Sequence, residues 1–240
     1  MKASMTLLIV FLIRCLSAQT PLDKYVRANN AITQMSSGNL MQQSDLIYQV
    51  RSSYKSEVVG DSYLSKSFGR SSIFLANGKM LEGFLTRYNI QSDEFEFKLQ
   101  GGLKFMKGTN VKNMVWVDSL DHSTRYLVDA RDFYRRGVPL TGFLEVLVEG
   151  EVPLMKRILI ETIRPNYNMA LDVGSKDFTI VKTEKFFFAI KTELIEAKKR
   201  TTKKALLHLS IEVEDFCERE SINWNKQSDL VRLFQYINSN

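Results

Sequence analysis

The sequence predicts an α+β protein: mainly an antiparallel β sandwich or partial barrel, with a C-terminal cap of two or three short helices. Three observations carry that prediction. From about residue 61 to about residue 200, short runs alternate apolar and polar side chains, and turn residues separate them every seven to twelve positions or so. No long helical pattern lies between these runs, which argues against parallel βαβ units, because each parallel pair needs a long crossover. After residue 200 the apolar spacing switches to three and four, the period of a helix with one buried stripe.

Taken in order, Ser72 to Ala76 and Lys79 to Asn89 flank Asn77-Gly78, a pair suited to the positive φ values of a two-residue type I′ hairpin turn. Phe95, Phe97 and Leu99 alternate with Glu94, Glu96 and Lys98, which reads as a half-buried strand with a solvated charged side. Gly101-Gly102 leads into Leu103 to Met106, then Val111 to Val117 and Thr124 to Ala130 extend the meander until the polar stretch Arg131 to Gly137 interrupts it. Phe143 to Val148, a turn at Glu149-Gly150-Glu151, and Val152 to Ile163 form a second hairpin, with Pro153 marking an edge or a strand start. Past the loop containing Pro165, Asn166 and Gly174 come Phe178 to Val181, Lys185 to Ile190 and Glu193 to Lys198; Phe186, Phe187 and Phe188 must point to alternate faces. The helical stripes are Ala205, Leu206 and Leu209, then Val213, Phe216 and Cys217, then Leu230, Leu233, Phe234 and Ile237. Asn225 is a candidate start for the last helix, and Asp229 would favour the positive end of its dipole.

Upstream, Lys2, the apolar run Leu7 to Ile13 and the small-residue end Leu16-Ser17-Ala18 read as a secretory signal peptide over residues 1–18. That run is shorter than the about 20 residues a membrane-spanning helix needs. The expected address is therefore the periplasm or cell envelope, or the medium. Cys15 after an apolar run raises lipidation as an alternative, which Arg14 immediately before it disfavours. Residues 19–60, rich in Gln, Asn and Ser, read as a loosely ordered leader, of which Asp45 to Tyr54 could dock on the body. The β domain is expected over 61–200 and the helical cap over 201–240.

The formal charge of +6 falls to +4 once Lys2 and Arg14 leave, too mild a bias for a dedicated nucleic-acid binder. Removal of Cys15 leaves Cys217, so the fold must rely on packing rather than on an internal disulfide. Cys217, beside Phe216 in a helical stripe, reads as a packed thiol rather than a nucleophile. Of the histidines, His208 sits among leucines, and His122 lies in the polar connection Asp118 to Ser123, where a carboxylate could orient the ring and a serine could be activated. A loop of Asp and Ser is also ordinary turn chemistry, and no second His or Cys stands near in sequence to complete a metal site. Asp93, Glu94 and Glu96 are the densest carboxylates and could hold calcium or run acid–base chemistry, though a solvated strand face explains Glu94 and Glu96 without any site. No phosphate-binding glycine loop or nucleophile elbow occurs, so no cofactor or metal is expected.

Two clusters remain as candidate binding surfaces. Lys198, Lys199, Arg200, Lys203 and Lys204, with Lys191 nearby, could face anionic headgroups or another polyanion, while Glu193 and Glu196 dilute them and charged strand ends also deter edge pairing. Arg87, Tyr88 and Asn89 offer a cationic fork, an aromatic face and an amide; they read as tethers of the following turn or, if that end lines a concavity, as a polar-ligand site. A looser set of aromatics, Tyr126, Phe133, Tyr134, Phe143, Tyr167 and Phe186 to Phe188, reads as core before it reads as a recognition groove.

At Arg87-Tyr88-Asn89-Ile90 with Asp93-Glu94-Phe95-Glu96-Phe97, and again at Gly142-Phe143-Leu144-Glu145-Val146-Leu147-Val148-Glu149-Gly150, the chain resembles a group of exported proteins of Bacteroidota. The resemblance spans about Gly60 to Asn238 and ends in Tyr236-Ile237-Asn238. No activity is attached to that group, so the resemblance implies an envelope address and transfers no site. The expected function is a non-catalytic binding or scaffold protein of the bacterial envelope with a protein partner, no nucleic acid and no transmembrane helix. The alternatives are a secreted hydrolase using Asp93, Glu94, Glu96 or the His122 loop, and a peripheral binder of anionic lipid or polyanion through Lys198 to Lys204.

Overall fold

The structure is a computed structural model that describes residues 47–48, 58–164, 166, 168, 171, 173–174, 177–206 and 210–239. The expected signal peptide with Cys15, most of the leader, Tyr167 and His208 lie outside the described residues.

The chain is α+β, and its described residues build one continuous, mainly antiparallel sheet of fourteen strands. In chain order these are β1 (Ile47–Tyr48), β2 (Val58–Val59), β3 (Gly69–Leu75), β4 (Met80–Asn89), β5 (Glu94–Leu99), β6 (Gly102–Lys107), β7 (Val111–Val117), β8 (Thr124–Asp129), β9 (Tyr134–Arg135), β10 (Val138–Pro139), β11 (Phe143–Val148), β12 (Leu154–Ile163), β13 (Phe178–Ile190) and β14 (Glu193–Glu196). Their spatial order is β1-β6-β5-β4-β3-β7-β8-β11-β12-β13-β14-β9-β10, and β2 joins β13 from the side. Three helices follow among the described residues: α1 (Lys199–Ala205), α2 (Ser210–Arg219) and α3 (Gln227–Ser239). None is long and apolar enough to cross a membrane.

Period-two alternation builds the strands as expected, and three local details differ from the sequence reading. The β3–β4 loop is longer than two residues: Gly78 N–H donates to Leu75 O and Leu75 N–H to Lys79 O, and positive φ falls on Gly78 (81°) and not on Asn77. Asn77 instead accepts the Lys79 N–H on its side chain, which gives a three-residue loop with glycine in the left-handed position. The two-residue turn with two positive φ values occurs at Arg136 (53°) and Gly137 (75°), between β9 and β10, inside the stretch read as an interruption. Phe178 to Ile190 is one strand rather than two, because the ten-residue ladder with β12 carries the polar centre through the pairs Ile160–Lys182, Leu159–Thr183 and Ile158–Glu184.

The sheet curls on itself. Phe143 on β11 lies 5.0 Å from Phe95 on β5 and 5.2 Å from Tyr88 on β4, although β3, β7 and β8 stand between them in the sheet. These rings join Ile73, Met114, Trp116 and Leu127 in one core. Arg131, which follows β8, fastens the same closure at the rim through an ion pair with Asp93 and a bond to the Gly108 carbonyl (3.4 Å).

Where β11 to β14 lie side by side, around Leu154 to Lys156 and Phe186 to Ala189, they are covered on both faces. Leu154, Phe186 and Phe188 meet Leu230, Leu233 and Phe234 of the cap, while Leu144, Met155 and Phe187 meet Ala130, Phe133 and Leu140 on the other side. The three consecutive phenylalanines thus serve two cores, as strand alternation requires. Helix α3 is pinned at its far end by Asn238, whose side-chain amide accepts from Val152 N–H (2.9 Å) and donates to Val152 O (3.0 Å). At its start, Asp229 accepts from Asn223 N–H and pairs with Arg232, so the negative charge sits in the first turn.

Candidate functional site

Residues Val58 to Leu64 form a strap that ties the sheet's two halves together. Val58 and Val59 pair in parallel with Phe178 and Thr179, and Gly60 turns at φ 105° so closely over Ile180 that a Cβ would lie 2.7 Å from the Ile180 carbonyl oxygen. Only glycine suits that combination of positive φ and close approach. Asp61 then pairs with Lys182, and Tyr63 N–H donates to its carboxylate. Burial pushes the Asp61 pKa upward, but the Lys182 ammonium and the Tyr63 N–H outweigh it and hold the carboxyl below the usual range. Beyond Ser62 the strap becomes a short added strand on β4: Ile90 N–H donates to Ser62 O (2.8 Å) and Leu64 N–H to Tyr88 O (2.9 Å).

Arg87, Tyr88 and Asn89 all meet this strap, from different sides. The Arg87 guanidinium lies 3.8 Å from the centroid of the Tyr63 ring, donates to the Tyr63 hydroxyl (3.1 Å) and to the Lys66 carbonyl (3.3 Å), and forms an ion pair with Glu96 (2.7 Å). Tyr63 in turn donates to Glu96 (2.9 Å). Burial, and next the Glu96 carboxylate, push the Tyr63 phenol up. Asn89 bridges Tyr63 through the backbone, while its side chain caps the β4–β5 turn by accepting from Gln91 and Ser92 N–H groups. Tyr88 points inward instead, donates to Asp93 (2.8 Å) and is 4% exposed. The solvated strand face expected for Glu96 is not found: Glu96 is buried, since Arg87 and Tyr63 replace the water its charge would otherwise need.

Beneath the strap, Leu64, Tyr88, Phe143, Glu145, Lys156 and Ile158 line a residual cavity of about 20 Å³, room for a single water. Glu145 and Lys156 are register partners on β11 and β12, with Nζ 3.0 Å from Oε2. That contact is an ion pair without hydrogen-bond alignment at Oε2; the Lys156 ammonium donates to Gln227 at the start of α3 (3.3 Å).

The remaining sequence candidates are dispersed. Asp93 is engaged by Tyr88 and Arg131, and Glu94 pairs in register with Lys107 on β6. His122 is exposed at φ 56° in the β7–β8 turn, where Asp121 accepts from Ser123 N–H, and the Ser123 hydrogen bonds lower the Asp121 pKa. Lys198 and Lys203 pair with Glu196 and Glu214, while Lys199, Arg200 and Lys204 are exposed on and around α1. Cys217 is half-buried against the cap core, and burial pushes its thiol up. Among the described residues, no three His, Cys, Asp or Glu side chains converge as a metal site.

Sequence reasoning missed Asp61, Tyr63, Lys182, Glu145 and Lys156. The signal available for the strap was Gly60-Asp61 at the boundary between the leader and the β domain; for Glu145 and Lys156 it was a charged residue on the inward phase of each strand of a strongly apolar hairpin. Compared with protein-family models, curated proteins and solved structures, the chain matches none.

Proposed function

We propose that this chain is an exported, non-catalytic binding or scaffold protein of the bacterial cell envelope, with a protein partner. The export half of the reading is supported by the signal-like residues 1–18 and by the resemblance to exported proteins of Bacteroidota. The binding half is carried by one observation: Asp93 and Glu96, two of the carboxylates the sequence offered for chemistry, are spent on holding the fold. Asp93 anchors Tyr88 and Arg131, and Glu96 anchors Arg87 and Tyr63. The cavity beneath the strap has room for one water only, so this reading places contacts with other molecules on the outside.

One outer surface suits a partner. Beyond Lys156 the β12–β13 hairpin extends past β11, and its register puts Val59, Ile163 and Val181 on the face opposite the cavity-lining Ile158. These three are 54%, 49% and 37% exposed. Exposed aliphatic side chains clustered on one face are a protein-contact signature. The test is chemical cross-linking and affinity capture from intact envelopes, alongside cell fractionation. The reading expects a reproducible partner that is lost with I163E/V181E, and export of the chain; recovery of the protein in the cytoplasm with no partner sensitive to that double variant would reject it.

A further inference from the structure

We infer that the strap is a built-in occupant of a peptide-recognition groove, and that the groove accepts an extended segment of a partner protein with the pattern acid-x-aromatic-aliphatic. This deepens the binding reading above and rests on it for its use in the cell, while the recognition itself is tested on purified protein.

The argument starts from how Asp61 to Leu64 are held. Two main-chain bonds add the segment to the free side of β4 past Thr86, where β3 no longer pairs. That is β-strand addition, in which the backbone supplies affinity and alternate side chains supply specificity. The alternation is evident: Tyr63 goes outward to Arg87 and Glu96, Leu64 goes inward to the cavity, and Asp61 reaches Lys182 on β13. Arg87, Lys182 and the space beside Tyr88 are therefore three subsites for an aromatic hydroxyl, a carboxylate and an aliphatic side chain.

The strap is held by polar bonds and by one apolar side chain, Leu64, packed against the core. Asp61, Ser62, Tyr63 and Leu64 are all only half-buried, unlike the neighbouring β3, where Ile73 is fully buried. Segments with few buried apolar contacts open at lower free energy than the core. The occupant in exchange is a different protein rather than a second copy, because Ser65 to Phe68 join the strap to β3 and reach about 14 Å at most, too short to place it in another body. The same tether keeps the strap at high effective concentration, so a ligand in trans competes poorly until the strap is weakened.

The test uses the mature chain and a fluorescent peptide carrying residues 58–66. D61N/Y63A should bind it at least tenfold tighter than wild type, and replacing the peptide's own tyrosine by alanine should cost at least tenfold. If D61N/Y63A does not fold, D61N/Y63F takes its place. Hydrogen exchange on the wild-type chain is an independent arm: the Leu64 and Ile90 amides should exchange at least tenfold faster than those of β3. Equal binding by wild type and both variants, indifference to the peptide's tyrosine, protection equal to β3, or dimerisation of the weakened variant would each overturn the inference. A failed envelope capture with a positive peptide result would instead count against the cellular role alone.

Discussion

Lys156 Nζ lies 3.0 Å from Glu145 Oε2 at the seam between two cores. Glu145 is flanked in register by Leu127, which belongs to the core of the curled sheet, and Lys156 follows Leu154 on the same face, which belongs to the core beneath the helices. A charged pair between two apolar bodies fixes how the hairpin sits against the helix start at Gln227, at the cost of removing both ions from water.

That pair predicts an asymmetric mutational response. K156M leaves the Glu145 side chain, 11% exposed, without its counter-charge and should destabilise the fold by about 3 kcal/mol, read as a lower urea midpoint. E145L/K156M should recover most of the loss, because both buried charges are gone. A double variant no more stable than K156M would show that the packing, not the uncompensated charge, sets the cost.

Tyr88 predicts an alkaline effect. Burial, and next the Asp93 carboxylate, push its phenol well above the ordinary value, so the folded state keeps the proton that the unfolded chain releases above about pH 10. Stability should therefore fall as pH rises past that point, and Y88F should be flatter over the same range. Below it the group is protonated in both states, and Y88F should show only the pH-independent loss of the bond to Asp93, about 1 kcal/mol.

Asp61 predicts the opposite limb. Its carboxyl is held below the ordinary aspartate range, so its contribution is complete above that range and disappears as pH falls through the lower folded-state value. Urea midpoints of wild type and D61N should differ near neutrality and converge in acid. A gap that persists at low pH would mean that Lys182 does not anchor the strap through charge.

The cap should report on Phe234. Its side chain is fully buried, with its ring 5.4 Å from that of Phe188, and F234A should cost about 3–5 kcal/mol through lost burial and the cavity left behind. Far-UV circular dichroism should show the helical signal melting at lower urea than in the wild type. An unchanged midpoint would place the cap outside the cooperative unit.

Local pattern alone determined the α+β class, most of the strands, the two-faced placement of Phe186 to Phe188 and the helical stripe Leu230, Leu233, Phe234 and Ile237, because side-chain direction repeats every two or every 3.6 residues wherever the chain lies. It also singled out Arg87, Tyr88 and Asn89 as residues needing partners. Their nearby partners lie within the β4–β5 hairpin, but the tertiary structure decided the distant contacts: Arg87 reaches Tyr63 across 24 positions, Tyr63 reaches Glu96 across 33, Arg131 reaches Asp93 across 38, and Lys182 reaches Asp61 across 121. The same holds for Glu96, which local alternation placed in solvent and which a distant tyrosine and a neighbouring arginine bury. Periodicity tells each side chain which face it occupies; it does not say what the curl of the sheet will bring against that face, because curl is a property of all the strands at once.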